Sequence, residues 1–301
     1  MKPFILFFTF LFFIFCFSAK AQLPRPISGS IQRFENFASK YVMSRNIDVW
    51  LPENYDGKVP FAVLYMHDGQ MLFDSITTWN KQEWKVDETI SALMNEDKIR
   101  NTIVVGIWNN GRYRHSEYFP TKPLSYLSNN LKDSIIEKEL LGKTQSHNYL
   151  KFIVKELKPF IDNNYKTFTN KENTFIAGSS MGGLISIYAI CKYPKIFGGA
   201  ACLSTHWIGS LQRNTPVIPL AFQNYLSNNL PTPENHKIYF DYGTATLDSY
   251  YKPHQIKVDE IMRKKGFTNL NWITEEFIGE DHSEKAWSKR LAIPLKFLLR
   301  K

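Results

Sequence analysis

Along this chain, short runs of β-forming residues alternate with longer stretches of helical period. Phe61 to Met66 (FAVLYM) and Thr102 to Trp108 (TIVVGIW) are continuous apolar runs, the pattern of strands covered on both faces. Ile47 to Leu51 alternates and ends at Pro52. Thr174 to Ala177 runs into Gly178, and Gly199 to Leu203, Lys237 to Phe240 and Asn271 to Phe277 complete the predicted strands. Between them, Tyr149 to Tyr165 places Leu150, Ile153, Val154, Leu157, Phe160 and Ile161 on one helical stripe. Gly182 to Tyr193, Pro253 to Lys265 and Ala286 to Leu299 also predict helices. The alternation predicts an α/β class, with a mostly parallel central sheet and helices on both faces. Asn109 to His147 and Thr205 to Asn235 break it. Both are polar and aromatic and follow the C-terminal ends of strands, where such sheets bind ligands. They are expected to form substrate-binding loops or a small lid.

The first 21 residues read differently. Lys2 precedes a continuous apolar run from Phe4 to Phe17, and Ser18-Ala19-Lys20-Ala21 carries small residues at the −3 and −1 positions of a cut after Ala21. The run is too short for an ordinary membrane span. The expectation is a signal peptide over 1–21, export to the periplasm or the cell exterior, and no stable membrane insertion after cleavage. Residues 22–301 then form a single catalytic domain, since no repeat or long polar linker interrupts them. Loss of Lys2 and Lys20 lowers the formal charge from +9 to +7. The Lys and Arg residues are scattered, so the charge reads as solubility and not as a nucleic-acid surface. Cys191 and Cys202 both lie in apolar stretches and are expected to be buried free thiols.

Chemistry enters at Gly178-Ser179-Ser180-Met181-Gly182-Gly183, a Gly-x-Ser-x-Gly motif between a buried strand and an apolar helix. That context makes Ser180 the candidate nucleophile. The tight turn needs small residues two before and two after the serine, and it lifts Oγ toward the cleft at a helix N-terminus. A serine needs a base, and the base needs an orienting acid. His282, in the loop after the last predicted strand, is the candidate base. The acid belongs after the Lys237 to Phe240 strand. Asp248 is preferred because it can swing toward the next loop, and Asp241 remains the alternative, with a structural role if Asp248 serves. An oxyanion hole needs two backbone N–H groups. Met181 supplies one, and the loop His67-Asp68-Gly69-Gln70 supplies the other, with Gly69 permitting an unusual backbone there. His67 and Asp68 are expected as a buried hydrogen-bonded pair that braces the loop. No HExxH motif, CxxC pair or Walker-type loop is present, so neither metal nor cofactor is called for.

Together these features resemble the esterase family related to esterase D, which includes feruloyl esterases, enterochelin esterases and the antigen 85 mycolyltransferases. The resemblance runs from about Ile47 to Leu299. It is carried by HDGQMLFD (67–74), the Trp84/Asp87 segment, His115-Ser116-Glu117-Tyr118-Phe119-Pro120, GSSMGG, YFDYGTATLD (239–248) and GEDHSEKAW (279–287). It implies an α/β-hydrolase fold, Ser180, Asp248 and His282 as a triad, and Gly69, Gln70 and Met181 as oxyanion donors. Members of that family act on feruloyl and acetyl esters of plant polysaccharides, on siderophore lactones and on small thioesters; an ester of a carbohydrate or related natural product is the expected substrate here. Trp79, Trp84 and Trp207, with Trp108 and Tyr113, suit a sugar face or an aromatic acyl group. Arg114 and Glu117, with Arg112, suit a polar part of the substrate, and His206 could touch it.

The expected function is a secreted serine carboxylic-ester hydrolase acting through an acyl-enzyme on a small-molecule or oligosaccharide ester. An acyltransferase would use the same acyl-enzyme with another acceptor. A non-catalytic binding protein on this scaffold would lack a triad member, and none is missing from the sequence.

Overall fold

The computed structural model describes residues 22–210, 212 and 215–301. The expected signal peptide, 1–21, lies outside the described residues. Eight strands form one sheet: β1 (Ser30–Phe37), β2 (Arg45–Leu51), β3 (Ala62–His67), β4 (Thr102–Ile107), β5 (Thr174–Ser179), β6 (Gly199–Leu203), β7 (Lys237–Gly243) and β8 (Trp272–Phe277). Their order is β1-β2-β4-β3-β5-β6-β7-β8. The pairs β1·β2 and β2·β4 are antiparallel, and the others are parallel. This is the α/β-hydrolase arrangement that the sequence predicted.

Strand alternation sorts the core into two layers. Val63 and Tyr65 of β3 join Ile103, Val105 and Ile176 on one face, whereas Ala62, Leu64 and Met66 join Val104, Phe175 and Ala177 on the other. The second face is covered by α1 (Val86–Asn95), among others. The first is covered by a series that begins with α2 (Arg114–Tyr118), α3 (Asn129–Lys138), α4 (Ser146–Phe152) and α5 (Lys158–Asn164), the last two joined through a π-helical turn at Ile153–Leu157. It continues with α6 (Met181–Lys192), α7 (Val217–Asn229) and α8 (Lys252–Lys264). Near the C-terminus, α9 (Glu284–Arg290) and α10 (Ala292–Leu299) return to the second face. Every residue of β3, β4 and β5 is buried, which accounts for their unbroken apolar sequences.

The two long stretches are not bare loops. The first contains α2 and α3, and the second contains α7. Ala286 to Leu299, expected as one helix, is two, meeting at Leu291. Cys191 and Cys202 are buried and unbridged. Among the described residues, no helix is long and apolar enough to cross a membrane.

The topology fixes where a site can form. From β3 the chain moves outward to β4, and from β5 onward it builds in the opposite direction. The reversal opens a crevice beyond the C-terminal ends of β3 and β5. His67 and Ser179 end those two strands, so the His67–Gln70 loop and the Ser180 turn both open onto it.

Candidate active site

Ser180 sits between β5 and α6 with φ 57° and ψ −123°, a region that non-glycine residues rarely occupy. Such a conformation costs about 1–3 kcal/mol and persists only where its surroundings enforce it. Here the Ser180 N–H donates to Leu203 O at 2.9 Å, and its carbonyl accepts from His206 N at 3.2 Å. Of the flanking glycines, Gly178 is explained by a backbone contact, whereas Gly182 packs against the side chains of the β3 loop. A Cβ on Gly178 would stand 2.9 Å from the Gly182 carbonyl carbon, and one on Gly182 would stand 3.4 Å from His67 Cβ and Asp68 Oδ2. The turn therefore closes backbone on backbone and pushes the serine outward. Its side chain makes no capping bond to α6, and Ser180 lines the cleft.

His282 reaches the same cleft from the loop between β8 and α9. Its Nδ1–H donates to Asp248 Oδ1 at 2.5 Å. Asp248 is fully buried, and its Oδ2 accepts from Ser204 Oγ at 2.5 Å and from Gly243 N at 2.6 Å. Ser204 in turn accepts from Trp287 Nε1 at 2.9 Å and from Arg290 Nη2 at 3.0 Å. The acid and base loops are zipped together, because Glu280 O accepts from both Thr244 N and Ala245 N. Asp241 points elsewhere. It pairs with Arg290 at 3.0 Å and accepts from Ser204 N and Tyr239 OH. Burial raises its pKa, while the Arg290 charge opposes the shift.

The opposite wall is the β3 loop. The left-handed residue is Asp68 (φ 57°), not Gly69 as expected. Gly69 is needed for space, since a Cβ there would stand 2.5 Å from the Gly106 carbonyl carbon. Asp68 is held by a two-pronged ion pair with Arg114 (2.7 and 2.8 Å) and by Asn109 Nδ2 at 2.7 Å. Burial alone would raise the Asp68 pKa, but the Arg114 charge and these bonds outweigh it and lower it. His67 does not pair with Asp68. Its Nδ1 meets Tyr149 OH at 2.8 Å, and burial lowers its pKa to about 3. Gln70 lines the cleft. Met181 opens α6, so its N–H is among the first-turn groups without an intrahelical acceptor.

The cleft has a volume of about 500 Å³ and brings Ser180, His282, Gln70, Arg114, Trp79 and Trp84 together. Trp79 stands 83% exposed on the rim, and Trp84 is buried against Trp287, with ring centroids 5.3 Å apart. Three expected substrate contacts lie elsewhere. Glu117 is buried in an ion pair with Arg45 at 2.6 Å, a charge too committed to meet a substrate. Trp207 is buried, with its indole N–H on Gln255 Oε1, and it lines a small apolar recess beside α6 and α7. His206 is buried against Tyr251. Arg114 lines the cleft, but its guanidinium is taken up by Asp68. Sequence reasoning missed Ser204, Tyr251, Trp287 and Arg290. Only Trp287, five residues after His282 in GEDHSEKAW, carried a local signal. Among the described residues, no group of three or more His, Cys, Asp or Glu could hold a metal ion.

A family model described as "Putative esterase" matches residues 42–295. The uncharacterized protein YbbA of Bacillus subtilis is 23% identical over 263 residues, covering 85% of this chain and 92% of that protein. An endo-1,4-beta-xylanase/feruloyl esterase of Xylanibacter ruminicola is 28% identical over 182 residues, which are 58% of this chain but 22% of that longer protein. Among solved structures, a ferulic acid esterase superposes with a TM-score of 0.66 at 17% identity, covering 90% of this chain and 98% of the other.

Proposed function

The chain belongs to this esterase family, and from that premise we propose that it is an exported carboxylic-ester hydrolase with Ser180 as nucleophile, His282 as base and Asp248 as acid. One observation carries the reading. His282 and Ser180 share a cleft, and a fully buried carboxylate fixes the far nitrogen of that histidine. With the proton held on Nδ1, Nε2 is left as an acceptor. It takes the Ser180 proton as Oγ attacks the ester carbonyl. The Met181 amide and an amide of the Gly69–Gln70 segment face the oxygen that becomes negative. The alcohol departs with the proton from Nε2 and leaves an acyl-enzyme. Water, deprotonated by the same nitrogen, then releases the acid.

The proposed substrate is an acyl ester of a carbohydrate or related natural product, with the acyl part aromatic. Trp79 on the rim and Trp84 in the wall offer flat apolar faces to such a group, and the feruloyl esterase relative fits that choice. Export is supported by the Phe4 to Phe17 run and the small residues before Gln22. Residues 22–301 are read as one catalytic domain. The test is release of p-nitrophenol from p-nitrophenyl acetate, beside the Ser180→Ala form. Turnover lost in the variant, with its fold retained, supports the nucleophile. Equal turnover in both forms overturns it.

A further inference from the structure

On the side of the base, the cleft wall holds polar side chains that the steps above leave unused. Asn80, Gln82 and Glu284 line it beside His282 and Ser283. Two bonds fasten the segment that carries Asn80 and Gln82 to the start of α9. Asn80 Nδ2 donates to Glu284 Oε2 at 2.8 Å, and Lys285 N donates to Gln82 Oε1 at 3.1 Å. The same bonds fix which way each amide points. Gln82 must turn its oxygen to the Lys285 N–H, because a backbone N–H can only donate. Asn80 must likewise turn its oxygen to Gln82 N, at 3.1 Å, which leaves its NH₂ for Glu284. Two atoms stay uncommitted. Glu284 Oε1, an acceptor, and Gln82 Nε2, a donor, have no hydrogen-bond partner among the described residues, and neither is sealed from solvent.

On the reading of Ser180 as nucleophile and His282 as base, we propose that Glu284 and Gln82 form the subsite for the alcohol part of the ester, and that this subsite reads a vicinal diol, such as two neighbouring hydroxyls of a sugar. The chemistry decides which half of the substrate meets this wall. The carbonyl oxygen turns to the Met181 and β3-loop amides, whereas the alcohol oxygen must lie within reach of His282 Nε2 to receive its proton. Glu284 stands two residues beyond His282, and both line the cleft, so the departing alcohol lies against the wall that carries Glu284. A diol has one O–H to donate and a neighbouring oxygen that can accept. Glu284 Oε1 takes the first, and Gln82 Nε2 donates to the second.

Anchoring makes the pair selective. Each side chain is already held by its other polar atom, so little rotamer freedom is lost when the open atom binds. An alkyl alcohol would sit against a carboxylate oxygen and an amide N–H without bonding either. A site built to bond a hydroxyl discriminates against a substrate that lacks one.

Glycerol carrying ferulate on a terminal hydroxyl and propyl ferulate share the acyl group and the carbon chain, and differ only by a vicinal diol. The wild type is expected to favour the glyceryl ester roughly tenfold in kcat/KM, the worth of two net hydrogen bonds. In Glu284→Gln, Asn80 Nδ2 still demands an oxygen, so the new NH₂ faces the cleft and the acceptor is lost. In Gln82→Glu, one oxygen stays on Lys285 N, the other faces the cleft, and the donor is lost. Each single variant, its fold checked by circular dichroism, should lower the glyceryl-to-propyl ratio roughly three- to tenfold. The double variant exchanges acceptor and donor and should recover the preference, which no merely structural role would bring about. Single variants with the wild-type ratio, or a double variant no better than the weaker single, overturn the proposal. A wild type that hydrolyses both esters alike overturns it too and leaves the esterase reading standing. A wild type that hydrolyses neither, and whose Ser180 does not react with a fluorophosphonate, overturns the nucleophile reading and the proposal with it.

Discussion

Replacing Asp248 by Asn keeps its shape and removes its charge, and the surrounding bonds decide which way the new amide must turn. At the Oδ2 position the wild-type carboxylate accepts from Gly243 N and Ser204 Oγ. Gly243 N–H can only donate. Ser204 has both lone pairs occupied by Trp287 Nε1 and Arg290 Nη2, so it too must donate. An NH₂ group at that position would face two donors. The substituted amide therefore places its oxygen there and its NH₂ toward His282. Nδ1 must then accept, the ring proton moves to Nε2, and the nitrogen facing Ser180 can no longer take a proton. A serine hydrolase held in the wrong tautomer loses about 10³- to 10⁴-fold in kcat, or about 4–5.5 kcal/mol of transition-state stabilisation. Steady-state hydrolysis of p-nitrophenyl acetate by Asp248→Asn, with circular dichroism to confirm folding, measures it. A folded variant within about tenfold of wild type would refute the reasoning. So would Asp241→Asn losing as much kcat, since that residue is expected to lose thermal stability through its buried pair with Arg290 and to keep its turnover.

Other expectations follow from the same contacts. Gly178→Ala forces a Cβ against the Gly182 backbone, so it should lower stability by about 1–3 kcal/mol and reduce kcat, read as Tm and turnover; a neutral result would show that the turn has slack. Trp79→Ala should raise KM for a feruloyl ester roughly three- to tenfold and leave p-nitrophenyl acetate unchanged, and equal effects on both would remove the rim as an acyl platform. Asp87, whose Oδ2 accepts from Ile27 N and Ser28 N, has its pKa raised from 3.8 to about 7 by burial and then by Glu88. The native state holds this proton more tightly than the unfolded chain, so this contribution to stability is present below about pH 4 and is lost as pH rises through about 7. Asp87→Asn should raise Tm at about pH 8 and change little at about pH 4; parallel curves for the two proteins would contradict the assignment.

The residues that sequence could find are those whose meaning is local. FAVLYM reads as a strand because β3 is covered on both faces, and GSSMGG reads as a nucleophile turn because its spacing is set by backbone contact within the motif. β1 was missed because it is an edge strand, polar and half-exposed along its length, with Asn36 in the left-handed region where the pairing with β2 shifts register. α3 was missed for a similar reason, since NNLKDSIIEK buries only Ile135. In the site, Glu117 and Arg45 lie 72 residues apart, and Ser204 meets Trp287 across 83. No periodicity carries such a pairing, so a charge that looked available to a substrate proved to be committed to the core.

The contact between Gly178 and Gly182 separates two things that the motif seems to join. Gly178 is required because its backbone lies against that of Gly182, whatever atom occupies the side chain between them. A relative in which the nucleophilic serine had been replaced by alanine would still need the first glycine to fold its strand into its helix. Retention of that glycine in a genome therefore testifies to inherited architecture, and a lineage can abandon catalysis without altering it.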